Sequence, residues 1–169
     1  RLGSRTLKNS AGYQLERLMI GMEGTLGIIT ELNVRVVPLP EKSAVAVAMF
    51  DSLEKAGQCV ANIISYPLIP SGLELMSRVC IEAVNKAVHL GLPEDEALLL
   101  IEVDGAESEV KKQIEQVSEV CKKTGAKSVE FTTDPARMDA LWKGRKAMIP
   151  ALSKYREDLS TVMLADDMA

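Results

Sequence analysis

Three glycines at spacing three, Gly21, Gly24 and Gly27, punctuate the stretch Gly21-Met22-Glu23-Gly24-Thr25-Leu26-Gly27-Ile28-Ile29-Thr30. Glycine reaches positive φ without a Cβ clash and lets a ligand or a second backbone come close. The β-branched run behind the turn, continued by Asn33-Val34-Arg35-Val36-Val37, predicts one or two strands entering a sheet. Such a turn suits the bed of a large flat cofactor, and it equally suits an ordinary hairpin; the bare pattern leaves both open. Other reactive side chains are sparse. Cys59, Cys80 and Cys121 lie far apart, each in a stretch that reads as helix, and no C-x-x-C occurs. They are expected to be buried thiols in a reducing compartment, not metal or iron–sulfur ligands. His89, the only histidine, falls late in a predicted helix, where capping is the expected role. No catalytic residue and no metal ligand is assigned.

The bulk properties narrow the function classes. A chain of 169 residues, 47% hydrophobic and 26% charged, can hold one full domain with a core plus a fragment of another. A net charge of -4 with no basic cluster, and only 4% aromatics, exclude a nucleic-acid footprint. No apolar run approaches the length of a membrane span, and no signal peptide opens the chain, so the expected location is cytoplasmic. The chain lacks an initiating methionine and opens in what reads as the middle of a domain, as expected of a piece of a longer protein.

The elements follow from periodicity. Leu15, Leu18 and Met19 predict a short helix of about two turns within residues 13–20. Pro38-Leu39-Pro40 then closes the first segment, and a domain boundary is placed there. Beyond it strands and helices alternate. Residues 44–50 and 97–103 read as central strands, residues 73–76 and 127–131 as shorter ones. Helices are predicted behind Asp51 or Ser52, over residues 78–90 and over residues 107–123. The last helix starts at Pro135, is capped by Asp134, and should end or kink at Pro150. The pattern predicts an α+β fold: a ferredoxin-like sandwich whose antiparallel or mixed sheet carries helices on one face, with room for an added strand or helix.

Three passages together resemble a known family: Lys8-Asn9-Ser10-Ala11-Gly12-Tyr13-Gln14-Leu15, the glycine turn with its flanking residues, and Val36-Val37-Pro38-Leu39-Pro40. They are similar to the end of the FAD-binding domain in FAD-linked oxidases of the vanillyl-alcohol-oxidase type. The branch is the one that holds the flavin subunit of glycolate oxidase and D-lactate dehydrogenases. Gln14 stands where the family has an acid or amide, and Met22 where it has a small hydroxyl residue; the glycines are undisturbed. The resemblance implies that residues 1–40 are the C-terminal remnant of an FAD-binding domain, and that residues 41–169 are a cap domain truncated at its C-terminal end. It implies FAD contact by Gly21, Glu23, Gly24, Gly27 and Ile28; an acid such as Glu23 in a tight turn also binds neighbouring backbone N–H groups.

Leu141-Trp142-Lys143-Gly144-Arg145-Lys146 resembles the cap-domain element L-W-x-x-R-K/E, whose arginine holds the substrate carboxylate in relatives. Arg145 is therefore the substrate-binding candidate, since a guanidinium offers a planar fork and keeps its charge. Ile149 stands where some relatives have a hydroxyl residue, and Asp166-Asp167 receives no role. The implied reaction is oxidation of a small 2-hydroxy acid, of glycolate or D-lactate type, to a 2-oxo acid. Electrons would pass through FAD to a separate acceptor, an iron–sulfur subunit or an electron-transfer protein. The upstream pyrophosphate loop and downstream histidines lie outside this chain, so it should hold no FAD and be inactive alone. Its first segment would drape over the cap, pair with another copy, or be disordered. The competing reading is a non-enzymatic ferredoxin-like regulatory or assembly module.

Overall fold

A computed structural model describes residues 1–6, 8–156, 158 and 160. The chain divides into two compact units, Arg1–Leu39 and Pro40–Ala169.

In the first unit the only helix among the described residues is α1, Leu15–Leu18, a single turn with no buried residue. A helix this short is marginal unless a packed face holds it. The strands expected behind the glycine turn are not formed: residues 27–39 carry no regular structure. A strand exists only by pairing its N–H and C=O groups, and the described residues of the unit form no partner strand. Ile28, Val34 and Val36 accordingly stand exposed.

The second unit is built on β1 (Lys42–Phe50), β2 (Gly72–Ser77), β3 (Ala97–Gly105) and β4 (Ser128–Thr132). They form one sheet in the order β2-β3-β1-β4, every pairing antiparallel. Between them run α2 (Leu53–Ile64), α3 (Arg78–Val88) and α4 (Glu107–Lys123), and after β4 come α5 (Pro135–Lys146) and α6 (Met148–Ser153). The α+β sandwich expected from the alternation is present.

The period of two in each strand sorts its side chains between two cores. Ala44, Ala46, Ala48 and Phe50 of β1, with Leu99, Ile101 and Val103 of β3, pack against Cys59 and Ile63 of α2 and Val110, Ile114 and Val117 of α4. Burying each such Val or Ile contributes about 1.5–3 kcal/mol. On the opposite face Val45, Met49, Met76, Leu98 and Leu100 meet Ile81 and Val84 of α3 and Leu141 of α5. The helices α2 and α4 make the expected one-faced layer, and α3 and α5 are additions that cover the other face. This double covering is why β1 and β3 read as unbroken apolar runs.

Helix ends follow local chemistry. The Ser52 side chain accepts from Lys55 N–H at the start of α2, and Asp134 accepts from Ala136 and Arg137 N–H at the start of α5. The predicted 78–90 helix stops earlier, because His89 takes a left-handed conformation (φ 53°) and is the C-cap itself. The break near Pro150 falls before the proline: α5 ends at Lys146, and Pro150 sits in the first turn of α6, where a missing N–H costs no helical hydrogen bond. Val162-Met163-Leu164 and Asp166-Asp167 lie outside the described residues.

Candidate functional site

The glycine turn is a turn in the structure. Thr25 N–H donates to Met22 C=O at 2.9 Å, and the two residues between, Glu23 and Gly24, both have positive φ, at 48° and 77°. Positive φ at both central positions is the signature of a primed turn. Gly24 bears this without cost, whereas Glu23 is held in a conformation that L side chains seldom adopt. Gly21 is also left-handed at 74°. A Cβ at Gly21 or Gly24 would meet nothing within 4 Å, so the space over this backbone is open. At Gly27 a Cβ would lie 3.4 Å from Met19 Cε. Ile28 is 90% exposed, and it lines an open cleft of about 870 Å³ shared with Met19, Glu31 and Arg5. The turn residues fit contact with a flat group, by open backbone at the glycines and a bare apolar side chain at Ile28.

In the second unit Arg145 rises from α5 beside Leu141 and Gly144, the residues that helix buries. Gly144 permits the approach, since a Cβ there would sit 2.1 Å from Leu90 Cδ1. Arg145 Nη2 donates to Glu74 Oε2 at 3.0 Å, with both side chains about one-third exposed. Its Nε is buried and has no protein acceptor. One turn back on α5, the Trp142 ring packs against Gly72 of β2: a Cβ at Gly72 would be 2.9 Å from Trp142 Cζ2 and Cη2. The indole Nε1 is also buried and unpaired.

Positions 142 and 145 of the helix therefore stack over positions 72 and 74 of the strand. The strand neighbour of Gly72 is Glu102 on β3. Burial raises the Glu102 carboxyl above the usual glutamate range. The helix C-terminus adds Lys143 and Lys146 to Arg145, cations that suit the dipole; Lys143 is engaged with Asp139 at 2.6 Å.

The structure thus gathers Gly21, Glu23, Gly24, Gly27 and Ile28 in one unit and places Arg145 in the other. It adds Gly72, Glu74 and Glu102, which sequence reasoning passed over. Gly72 falls just before the strand expected over residues 73–76, and Glu74 inside it. One signal was legible: Glu74 alternates onto the same face as Gly72 and Met76, a face otherwise committed to the core. A carboxylate there requires a cation on the covering helix.

His89 makes only a helix cap, as expected. Cys59 and Cys121 are buried, with Sγ atoms 3.6 Å apart across 62 residues of chain, while Cys80 is half-buried. The shared hydrogen with Cys59, together with burial, pushes the Cys121 thiol up, so it stays protonated and unreactive.

The second unit is an antiparallel sheet sandwiched by helices, with an arginine beside its edge strand. Residues 39–169 match the family model described as FAD linked oxidases, C-terminal domain, and the chain belongs to that family. It is 42% identical over 158 residues to "Glycolate oxidase subunit GlcD" of Escherichia coli strain K12, covering 93% of this chain and 32% of that protein. It is 36% identical over 143 residues to "D-lactate dehydrogenase [cytochrome], mitochondrial" of Arabidopsis thaliana, covering 85% of this chain and 25% of that one. The chain therefore spans a third or less of the length of these curated relatives. Among solved structures the fold is similar to alkyldihydroxyacetonephosphate synthase, with a TM-score of 0.60, 20% identity, and coverage of 88% of this chain and 30% of that one. At that identity the likeness concerns the fold alone. Among the described residues no helix is long and apolar enough to cross a membrane.

Proposed function

We propose that this chain is part of an FAD-dependent dehydrogenase that oxidises a small 2-hydroxy acid, of glycolate or D-lactate type, to the 2-oxo acid. Residues 1–40 belong to its FAD-binding domain and residues 41–169 to its cap. Gly21, Glu23, Gly24, Gly27 and Ile28 would hold FAD, which supplies the hydride acceptor when bound. Electrons would pass on to a separate acceptor, an iron–sulfur or electron-transfer protein. A reducing compartment, the cytoplasm, suits the thiols of Cys59 and Cys121.

Arg145 is the observation that carries this reading. Its guanidinium is anchored on one side by Glu74 and keeps a buried Nε with no protein acceptor. A buried donor without a partner costs about 1–3 kcal/mol, which a substrate carboxylate accepting from the same fork would relieve. In this role Arg145 orients the carboxylate and thereby fixes the adjacent carbon that is to be oxidised, without itself moving a proton.

The test is a full-length protein carrying this chain, assayed for FAD content and for 2-hydroxy-acid oxidation beside the 169-residue chain. The full-length protein is expected to hold FAD and turn over, and the short chain to do neither. Arg145→Ala should retain flavin and lose about 100-fold in kcat/KM, the worth of a charge-assisted fork. A full-length protein that binds no flavin overturns the oxidase in favour of a ferredoxin-like module.

A further inference from the structure

Resting on the substrate role of Arg145, we propose that Glu74 is the positioning and specificity-determining residue of that site. As resident counter-ion of Arg145, its carboxylate competes with the carboxylate of the substrate and disfavours any substrate that carries a second one.

The placement of Glu74 is the first support. It shares a strand face with Gly72 and with Met76, which is 97% withdrawn from solvent at 3% exposure. An acid on such a face is costly unless paired, and its partner is the Nη2 of Arg145 at 3.0 Å. The second support is rigidity. Trp142 fills the space over Gly72, so the α5 backbone that carries Arg145 is keyed to β2 one turn before it. The third is charge. Lys143 is occupied with Asp139, and Arg145 is the cation that faces Glu74.

The pair is electrically balanced before any substrate arrives. A guanidinium has five N–H donors, so one substrate carboxylate still finds hydrogen bonds there, but it finds no net positive charge. It either displaces Glu74 or shares the fork against a like charge a few ångströms away. A second substrate carboxylate meets that repulsion as well. Glu74 thereby trades affinity for selectivity toward small monocarboxylates.

The test is Glu74→Gln in the full-length flavoprotein, which keeps the side-chain volume and an acceptor for Nη2 while deleting the charge. KM for D-lactate and Kd for pyruvate (by calorimetry) should each fall roughly 3- to 10-fold, partial exposure holding the effect down. The gain should lie in KM rather than in kcat. For D-malate, a 2-hydroxy dicarboxylate, kcat/KM should rise by more than for D-lactate.

Arg145→Ala is measured alongside. If it leaves pyruvate binding and KM unchanged, the substrate role of Arg145 falls and this inference with it. If it weakens both while Glu74→Gln leaves KM and the malate-to-lactate ratio unchanged, or raises KM, Glu74 is only a fold staple and this inference alone is overturned. Should Glu74→Gln accumulate poorly, Glu74→Met, similar in volume and uncharged, is read by the same ratio.

Discussion

Replacing Gly72 by alanine tests whether α5 is seated on β2 through the Trp142 ring. The new Cβ would lie 2.9 Å from Trp142 Cζ2 and Cη2 and 3.4 Å from Glu102 Cβ. Carbon atoms rest about 3.5–4.0 Å apart, so the indole must retreat by roughly 0.6–1.1 Å. Overpacking of this kind costs about 1–3 kcal/mol. The alanine recovers about 0.4–1 kcal/mol by restricting the unfolded chain. The net expectation is a loss of about 0.5–2 kcal/mol, or a melting midpoint lower by about 2–10 °C for a domain of this size.

Trp142 is the only tryptophan in the chain, so its fluorescence reports both the displaced ring and the unfolding transition. Gly57→Ala is the matched control. It lies inside α2 with nothing within 4 Å of its added Cβ, and it should gain about 0.5–1 kcal/mol from helix propensity. If Gly72→Ala is as stable as wild type with an unshifted emission maximum, the keyed α5–β2 contact is wrong.

Asp134→Ala removes the acceptor for two N–H groups at the start of α5 and should cost about 1 kcal/mol in urea unfolding; an unchanged midpoint would mean that solvent caps the helix equally well. Glu102→Gln should change stability in a pH-dependent way. Its raised folded-state carboxyl lets the unfolded chain ionise first, so the wild type loses stability as pH rises from the ordinary glutamate value through the raised one. The variant lacks that loss, and its stability relative to wild type should improve as pH rises above the ordinary glutamate range; a constant difference refutes the raised carboxyl. A thiol reagent should label half-buried Cys80 in the native chain, leaving Cys59 and Cys121 protected until urea unfolds it. Equal labelling of all three would contradict the packing of α2 on α4.

Much of the second unit was legible because its signals are local. The helix predicted over 107–123 is α4 to the residue, its acids leading and its lysines closing it. The strands 44–50 and 97–103 sit within β1 and β3. Failures occurred where the deciding partner is distant in the chain. Residues 28–37 have strand composition and no strand to pair with. Pro150 marks a helix break, but the geometry that tolerates it inside the first turn of α6 puts the break three residues earlier. Cys59 and Cys121 read as unrelated thiols, and only the packing of α2 beside α4 makes them neighbours.

The candidate site divides in the same way. The glycines of the turn, the L-W-x-x-R-K run and the order of strands and helices are properties of adjacent residues. The sequence alone determined the family, the sandwich class and the candidate residues Gly21, Glu23, Gly24, Gly27, Ile28 and Arg145. Tertiary structure decided which carboxylate faces Arg145, why residue 72 must lack a side chain, and that the N–H of Glu107 at the start of α4 is met by Glu41 at 3.4 Å. The physical reason is that backbone preferences act over a few residues, whereas ion pairing, steric fit and desolvation act between whatever atoms the fold brings together. Glu74 and Arg145 are 71 residues apart, and no local pattern could have paired them.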